Sequence, residues 1–317
     1  MNKKLFAIGE ALIDFIPSQS GKPISEVESF QPAVGGAPAN VCGAYSKLGG
    51  ESSIITQLGD DAFGDKIADE LKKWNIDCGY IKRTDKATTS LAFVALKEDG
   101  NREFFFCRKP GADMLLSEED VDAEWFKEGY ALHFCSVSLG DFPMREAHIK
   151  AIRAAQDNNM IISFDPNLRP ALWENKEAML ATVRKFLPYA HIVKISDEEL
   201  EDITGIADIE EAIAYLFRGN VKLVLYTKGA DGAEAYTNSV RAKVDGIQVN
   251  SIDTTGAGDG FIGAFLHCLC EEQVGVDDLD KLHKDKLKEY LEFANIFSSR
   301  SVQKKGAIAS YPTKDEL

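Results

Sequence analysis

The feature that most restricts the fold of this chain is a regular alternation of strand-like and helix-like segments in its second half. Apolar runs typical of buried strands lie at 130–135, 161–165, 191–195 and 221–227. Segments with helical spacing lie at 143–158, 176–187, 196–204, 209–217 and 279–301. This order predicts a three-layer α/β fold, in which helices cover both faces of a mostly parallel sheet. Ligands of such sheets bind beyond the carboxyl ends of the strands, where Asp14, Asp165 and Thr227 are expected.

The segment from residue 79 to 108 departs from this alternation. Its strand-like runs, with no helix between them, lie at 80–81, 91–96 and 102–107. Asp99-Gly100 suits a hairpin turn between the last two. We therefore predict a small β-sheet lid that covers the substrate and excludes water. A flat, phenylalanine-rich sheet itself needs cover, so we also expect a homodimer formed through the lids.

We expect the lid to be part of one domain rather than a second one. The prediction is a single α/β domain of residues 1–317, with lid strands inserted at about 11–34 and 79–110.

A glycine-rich turn near residue 256 leads into another predicted helix, which should begin near Gly258 or Asp259. Glycines at this turn let the backbone bend sharply and approach a ligand, because they carry no Cβ. Free amides of Gly256, Ala257 and Gly258, with the positive end of the helix dipole, would form an anion site. Asp259 in the first helical turn is placed to take a proton from a hydroxyl while that site holds an incoming phosphoryl group. The alternative is a glycine-rich helix entry that only packs.

The string Asp253-Thr-Thr-Gly-Ala-Gly-Asp259 resembles the C-terminal signature of the ribokinase-like (PfkB) carbohydrate kinases. Gly35-Gly36-Ala-Pro-Ala-Asn40, roughly two hundred residues earlier, resembles the N-terminal signature of the same family. The glycine pair alone is a weak signal, but the two strings in this order are a strong one. The resemblance spans nearly the whole chain and implies a ribokinase-like fold and an ATP-dependent sugar kinase with Asp259 as the base.

The resemblance also implies which residues bind the sugar. By position in the family motifs, these are Asp14, Gly35, Gly36 and Asn40. The string from Arg102 to Asp113 resembles the fructokinase branch, which adds Arg102 and Phe104 to the sugar site. Solvated edge charges are the alternative for Arg102 and Arg108. The loop 165–173 resembles fructokinases and 2-keto-3-deoxygluconate kinases, and Arg169 in it would face the substrate or the phosphoryl group, unless it is a structural arginine.

For the nucleotide, the resemblance implies contacts that are spread over the second half of the chain. The ATP-binding residues expected are Lys194, Thr227, Gly229, Gly232, Gly258 and Asn295.

Two ion sites follow from the same resemblance. Ser196-Asp-Glu-Glu199 aligns with the motif that organises Mg²⁺ through water, with Glu199 in the acidic position and Ser196 in place of the usual asparagine. An ordinary acidic helix start is the alternative, since any acid in a first turn is stabilised by the helix dipole. A monovalent cation, K⁺ in particular, would be held by the residues Asp253, Thr255, Gly306 and Ser310.

The composition of the chain limits the kinds of partner that it is expected to bind. The net charge of -15 argues against nucleic acid and anionic membranes, both of which favour basic surfaces. No apolar run reaches the length of a membrane span, and the first apolar run reads as a buried strand rather than a signal peptide. We therefore expect a cytoplasmic protein whose partners are a small sugar and ATP.

The function expected is that of a fructokinase, which makes fructose 6-phosphate from fructose and ATP with Mg²⁺. A 2-keto-3-deoxygluconate kinase, or another sugar kinase of the family, is the alternative within the class. A non-catalytic sugar or nucleotide sensor on the same fold is the alternative from a different class. Hydroxyl recognition depends on geometry that spacing does not reveal, so the sequence leaves the sugar open.

Overall fold

The computed structural model describes residues 3–19, 21–96 and 102–317, without the side chains of Leu96, Arg102, Glu103 and Phe104. The strands are β1 (Lys4–Ile8), β2 (Leu12–Pro17), β3 (Phe30–Gly35), β4 (Ser52–Gly59), β5 (Ile76–Asp77), β6 (Ile81–Thr84), β7 (Leu91–Leu96), β8 (Arg102–Cys107), β9 (Gly129–Cys135), β10 (Ile161–Asp165), β11 (Ile192–Ser196), β12 (Leu223–Thr227), β13 (Ala233–Tyr236) and β14 (Arg241–Val244). The helices are α1 (Ala37–Lys47), α2 (Ala62–Lys73), α3 (Met144–Asp157), α4 (Lys176–Phe186), α5 (Asp197–Thr204), α6 (Ile209–Leu216), α7 (Ala257–Glu271) and α8 (Lys284–Ser301).

A large sheet forms the centre of the molecule, in the order β14-β13-β12-β11-β10-β9-β1-β4-β5, with β6 also paired to β4. All its pairings are parallel except those of β13 and β14, which add an antiparallel edge. The predicted alternation of strand and helix is therefore confirmed. As expected, it brings the ends of the parallel strands together at one edge of the sheet. Asp165 and Thr227 end β10 and β12 at the same edge of the sheet, whereas Asp14 lies in β2, just after β1.

Side chains of successive strand residues point to opposite faces, so one strand supplies two cores. In β1, Leu5 and Ala7 pack into one buried cluster with α1, α2, α7 and α8. Phe6 and Ile8 pack into the other cluster with α3, α4, α5 and α6. Each face of the sheet thus has its own buried apolar core under a layer of helices, which confirms the three layers predicted from the sequence.

Two helices on the first face pack unusually closely and thereby bring distant parts of the chain together. A Cβ on Gly263 of α7 would lie 2.7 Å from the Cβ of Ala44 and 2.9 Å from the carbonyl oxygen of Val41, both in α1. Contacts that short do not occur between ordinary side chains, so only glycine permits this approach. The approach places the first turn of α1 beside the first turn of α7.

A second, four-stranded sheet with the order β3-β2-β7-β8 stands apart from the large one. Its β2 pairs antiparallel with β3 and parallel with β7, and β7 pairs antiparallel with β8. Alternate residues of β2 face opposite sides: Leu12 and Asp14 line a cavity, while Phe15 packs on Phe93 and Phe63. The small lid sheet is thus confirmed, although the Asp99-Gly100 turn lies outside the described residues.

One predicted strand does not belong to this lid. We grouped the run near Ile81 with the small sheet, but β6 pairs in parallel with the second half of β4. The reason is strand length, because β4 has eight residues and β5 covers only the first part of it with two. The remaining backbone groups of β4 need a partner, and β6 supplies it.

Helix α7 begins at Ala257 rather than at Gly258 or Asp259, with Gly256 as its N-cap in a left-handed conformation (φ 75°). Among the helices that the structure describes, none combines the length and the apolar character that crossing a membrane requires.

Candidate active site

A cavity of about 500 Å³ opens between the lid and the carboxyl edge of the large sheet. It brings together residues from the beginning, middle and end of the chain. The predicted site residues on its wall are Asp14, Gly36, Asn40, Arg169, Lys194, Asp253, Thr255, Gly256, Ala257, Gly258 and Asp259. This convergence is the main evidence that the two sequence signatures form one site.

Asp259 lies on the wall of this cavity, in the first turn of α7. Its carboxylate is largely buried and accepts hydrogen bonds from the side-chain amides of Asn40 at 2.9 Å and Asn167 at 3.4 Å. Burial raises the pKa of Asp259 to about 6, as does nearby Asp165, whereas the Asn40 hydrogen bond, Lys194 and Arg169 oppose the shift. A carboxyl group with such a pKa is ionised near neutral pH yet basic enough to accept a proton.

The predicted anion site at the start of α7 is only partly open. The amide of Ala257 donates to the carbonyl oxygen of Thr254 at 3.2 Å. The amides of Gly256 and Gly258 have no acceptor among the described residues. Gly256 cannot carry a side chain, because a Cβ there would lie 2.7 Å from the hydroxyl oxygen of Tyr311. In this conformation two of the three predicted amides are therefore available to an anion.

A buried ion pair supports the floor of the site. The ammonium group of Lys194 donates to Asp165 at 2.9 Å, and both side chains are less than one-tenth exposed. A Cβ on Gly258 would lie 3.0 Å from the Lys194 nitrogen, so this lysine lies directly against the glycine turn. Asp165, Glu199 and Asp259 outweigh the effect of burial and raise the pKa of Lys194, so it carries a positive charge. The sequence predicted Lys194 as a site residue and Asp165 at the ligand-binding edge of the sheet, but not the pairing of the two.

Asp14 and Gly35 fit one another on the lid side of the cavity. A Cβ on Gly35 would lie 2.0 Å from the Asp14 Oδ2 atom, so the carboxylate occupies the space that any other residue would fill. Burial raises the pKa of Asp14 to about 7, as do Asp253, Asp259 and Glu10, while Arg169 opposes the shift. Gly35 therefore lies behind Asp14 rather than on the cavity wall.

Gly36 and Asn40 complete the same wall at the start of α1. Gly36 has φ 104°, and a Cβ there would lie 2.5 Å from the carbonyl oxygen of Glu10, so the position requires glycine. The Asn40 amide nitrogen is bound to Asp259, but its Oδ1 atom is buried and has no partner among the described residues. A buried acceptor without a donor is costly unless a ligand hydroxyl fills the place.

Two residues on this wall were not predicted from the sequence. Glu10 is buried and accepts from the Ser138 hydroxyl at 2.7 Å and from the Ala37 amide at 3.3 Å. Asn167 follows β10 in the loop that we singled out only for Arg169. Both could have been found from one signal: like Asp14 and Asp165, they lie at or just beyond the carboxyl end of a predicted strand.

The arginines near the predicted sugar site lie in different environments. Arg169 is exposed on the cavity wall, and its guanidinium donates to the Leu168 carbonyl at 2.9 Å. Arg108 is not a solvated edge charge, because it is buried and paired with Asp113. The side chains of Arg102 and Phe104 lie outside the part of the chain that the structure describes.

Of the predicted nucleotide residues, Lys194 and Gly258 line the main cavity, whereas Thr227, Gly229, Gly232 and Asn295 do not. Thr227 ends β12, and Gly229 and Gly232 bound the turn that follows. Gly232 has φ 101°, and a Cβ there would lie 2.2 Å from the carbonyl oxygen of Val244. Asn295 lines a second cavity of about 400 Å³, a recess whose wall combines apolar with charged residues: Val244, Ile247, Ile296, Lys243, Asp245, Lys288 and Glu292. The three apolar side chains offer a surface on which a planar ring could pack.

Glu199, the predicted Mg²⁺ residue, has both carboxylate oxygens engaged. One accepts from the Leu168 amide at 2.7 Å, and the other accepts from the Ser196 amide at 3.1 Å and hydroxyl at 2.9 Å. The second set is a capping box that fixes the start of α5. With these donors in place, Glu199 fits contact with a metal through water and does not fit direct ligation.

Three of the four residues predicted to hold a monovalent cation form one cluster. Asp253 accepts from the Thr255 amide and hydroxyl at 2.9 and 2.6 Å and from the Gly306 amide at 3.0 Å. This cluster ties the loop before α7 to the segment after α8. Ser310 lies in the same segment but donates to the Ala307 carbonyl at 2.8 Å.

Comparisons with known proteins find relatives over nearly the whole chain. A family model described as pfkB family carbohydrate kinase matches residues 2–314. Probable fructokinase-2 of Arabidopsis thaliana is 40% identical over 311 residues, which cover 98% of this chain and 93% of that protein.

Two solved structures are also similar. The fructokinase of Xylella fastidiosa with bound ATP superposes with a TM-score of 0.92 at 34% identity, covering 100% of this chain and 97% of that one. The fructokinase of Vibrio cholerae O395, bound to fructose, ADP and calcium ion, superposes with a TM-score of 0.88 at 33% identity, covering 99% and 97%. A double mutant of the same enzyme has fructose, ADP and potassium ion bound.

Proposed function

The chain belongs to the pfkB family of carbohydrate kinases, and we propose that it transfers the terminal phosphoryl group of ATP to fructose. The products are fructose 6-phosphate and ADP. The fructokinases named above support fructose as the acceptor. The observation that carries the proposal is the position of Asp259, a buried carboxylate on the cavity wall beside the available amides of Gly256 and Gly258.

Asp259 acts as the general base in this proposal. Its carboxylate takes the proton of the sugar hydroxymethyl group as that oxygen forms a bond to the γ-phosphorus of ATP. The bond from the γ-phosphorus to the bridging oxygen breaks, and ADP leaves with the electron pair. The amides of Gly256 and Gly258 stabilise the negative charge on the transferring group, and Ala257 joins them if its bond to Thr254 opens.

The sugar is oriented by the other side of the cavity. The Asp14 carboxylate and the unpaired Oδ1 atom of Asn40 accept hydrogen bonds from sugar hydroxyls, and Gly36 permits a close approach. Holding the hydroxymethyl group near Asp259 turns an encounter in solution into a reaction within one complex, which is a large part of the rate gain.

ATP is proposed to enter from the side of β12. Its adenine would bind in the recess that includes Asn295, and the turn bounded by Gly229 and Gly232 would follow the ribose and phosphates. Lys194 contributes a fixed positive charge near Gly258, where the phosphates meet the sugar. Thr227 lines the route between these two ends.

Mg²⁺ and a monovalent cation complete the proposal. Mg²⁺ would neutralise the phosphate charge of ATP, with Glu199 holding its water shell. The cluster of Asp253, Thr255 and Gly306 offers oxygen atoms of the kind that K⁺ takes, and it lies next to the anion site. Ser310 would have to turn from Ala307 to join it.

The charge of the cavity favours a neutral sugar over a sugar acid. Its wall carries the carboxylates of Glu10, Asp14, Asp253 and Asp259, and Lys194 is already paired with Asp165. A 2-keto-3-deoxygluconate carboxylate on the lid side would be repelled by Asp14 and Glu10, with Arg169 and Lys305 on the wall left to offset them. That kinase therefore remains the second candidate, and Arg169 is the feature that favours it.

A homodimer through the lids also belongs to this proposal. The outward face of the lid carries a run of aromatic rings, with Phe15 stacked on Phe93 at 4.6 Å and Phe30 against Phe93 at 5.4 Å. Phe105 beside them is 57% exposed. A second copy of this face would remove these rings from water. We further propose a cytoplasmic location, where ATP is abundant.

A coupled assay of ADP release tests the function. The acceptors to compare are fructose, ribose, mannose, adenosine and 2-keto-3-deoxygluconate, each with ATP and Mg²⁺. We expect fructose to give the highest kcat/KM. A preference for the sugar acid would favour the second candidate, and no ADP release with any acceptor would favour a sensor.

A further inference from the structure

A buried ion pair lies behind the cavity wall, at the point where the lid joins the main body. Arg108 follows β8 and Asp113 follows five residues later, and the two side chains are 6% and 1% exposed. The guanidinium Nε atom donates to Asp113 Oδ2 at 2.9 Å, and Nη2 donates to the same oxygen. Neither residue lines the cavity itself.

Asp113 fixes the inner ends of two lid strands at once. Its Oδ2 atom holds Arg108, the first residue after β8. Its Oδ1 atom accepts from the hydroxyl of Ser90, the last residue before β7, which is 2% exposed. One carboxylate thus contacts the chain at the start of β7 and at the end of β8.

Hydrogen bonds link Arg108 to the wall of the cavity on its proposed sugar side. Its guanidinium donates to the Val137 carbonyl at 3.4 Å and to the Ser138 hydroxyl at 3.3 Å. The Ser138 hydroxyl donates to Glu10 Oε2 at 2.7 Å, and Glu10 Oε1 accepts from the amide of Ala37 at 3.3 Å. The chain of contacts thus ends at the start of α1, beside Gly36 and Asn40.

The charges of this cluster depend on one another. Two buried acids, Glu10 and Asp113, share a single buried cation, Arg108. The repulsion between the two acids is offset only while Arg108 stays in place. Burial raises the pKa of Glu10 and Arg108 opposes only part of that shift, while the two acids outweigh the effect of burial on Arg108 and raise its pKa. Removing the guanidinium would leave two acids buried together without a cation.

We propose that Arg108 and Asp113 are positioning residues for the sugar: their pair holds the base of the lid and, through Ser138 and Glu10, the cavity wall at the start of α1. The inference rests on the proposed function, since it concerns the sugar of that reaction. The pair touches neither ATP residues nor Asp259, so its loss should weaken sugar binding selectively.

The test compares three variants, Arg108→Met, Arg108→Lys and Arg108→Met with Asp113→Asn, using the panel sugar that the wild type phosphorylates fastest. We expect Arg108→Met to raise the KM for the sugar about 10–100-fold, the scale of a small misplacement, while the KM for ATP changes less than about threefold. Arg108→Lys keeps the charge but loses the planar fork, so its Tm should stay near that of the wild type while its sugar KM rises.

The double variant separates positioning from mere stability. The added Asp113→Asn change removes one of the two acids that Arg108→Met leaves without a cation, whereas Glu10 remains, so the Tm should recover part of the loss in Arg108→Met. The sugar KM should stay high, because the link to the lid is still broken. Arg83→Met is the matched control, since its pair with Asp65 lies on the surface of the same half of the molecule and should leave the sugar KM unchanged.

Three results would overturn the inference: an unchanged sugar KM in Arg108→Met and Arg108→Lys, an equal rise in the KM for ATP, or a double variant that restores both the Tm and the sugar KM. Activity of the wild type with the panel sugars tests the proposed function separately. Failure of the inference about Arg108 and Asp113 can therefore be distinguished from failure of the proposed function.

Discussion

The side-chain amide of Asn40 donates to Oδ2 of Asp259 at 2.9 Å, although 219 positions separate the two residues in the chain. The close packing of α1 and α7 at Gly263 makes this contact. One side chain thus touches the proposed base with its nitrogen and offers its oxygen to the cavity. Sugar binding and proton transfer are expected to be coupled through Asn40.

The first prediction concerns pH. Only the ionised form of Asp259 accepts a proton, so kcat at saturating sugar should fall as the pH drops through about 6, the pKa of this buried carboxyl. Protonation of Asp14, whose pKa is about 7, should act on the KM for the sugar instead. The Asn40 hydrogen bond stabilises the ionised form of Asp259 and lowers its pKa. Asn40→Ala should therefore raise that pKa and move the acid limb of the kcat profile to higher pH.

Asn167→Ala is the comparison for this experiment. Its amide lies 3.4 Å from the other carboxylate oxygen, so the hydrogen bond that it removes is weaker and the shift should be smaller. An acid limb that does not move in Asn40→Ala would contradict the assigned contact.

The second prediction concerns the fit between Gly35 and Asp14. A Cβ at residue 35 would lie 2.0 Å from Asp14 Oδ2, so Gly35→Ala must displace the carboxylate. We expect the KM for the sugar to rise about 10–100-fold, with the KM for ATP nearly unchanged. Gly275→Ala is the control, because the nearest atom to its Cβ would be 3.4 Å away. Equal sugar KM values in both variants would refute the role of Asp14.

The third prediction concerns stability. Lys194→Met leaves Asp165 buried without its cation, which should lower the free energy of unfolding by about 3–5 kcal/mol in urea titrations. Lys176→Met is the matched control, because Lys176 pairs with Asp202 at 2.7 Å on the surface, with side chains 49% and 41% exposed. The control should lose less than about 1 kcal/mol. Similar losses in both variants would show that burial of the pair does not matter.

The fourth prediction concerns assembly. Phe105→Glu places a charge on the aromatic face of the lid, which should prevent two lids from packing together. Sedimentation of the wild type is expected to give a dimer, and the variant should sediment as a monomer with an unchanged circular dichroism spectrum. A wild type that is monomeric at micromolar concentration would argue against the lid dimer.

The sequence predicted the parts of this molecule that local pattern controls. Strand β10 has the predicted bounds, and α7 begins within two residues of its predicted start because the glycine turn marks it. The two signatures predicted that Asn40 and Asp259 would share a site.

Contacts between distant segments were harder to predict. The run near Ile81 has strand character in either sheet, and only the unpaired length of β4 decides its place. The sequence left Arg108 between a residue of the sugar site and a solvated edge charge, because its pairing with Asp113 and its cover by the main body are features of tertiary packing. Glu10 was missed for the same reason, and so was the pairing of Asp165 with Lys194, although Asp165 itself was expected at the ligand-binding edge of the sheet.

The measurement that tests the central claim most directly is the turnover of Asp259→Asn, in a coupled assay of ADP release with saturating sugar, ATP and Mg²⁺. The amide keeps the shape of the side chain but cannot take the proton, so kcat should fall about 10²–10⁴-fold. The KM for the sugar should change little, and an unchanged Tm would confirm that the variant is folded. A variant that turns over at nearly the wild-type rate would contradict the account.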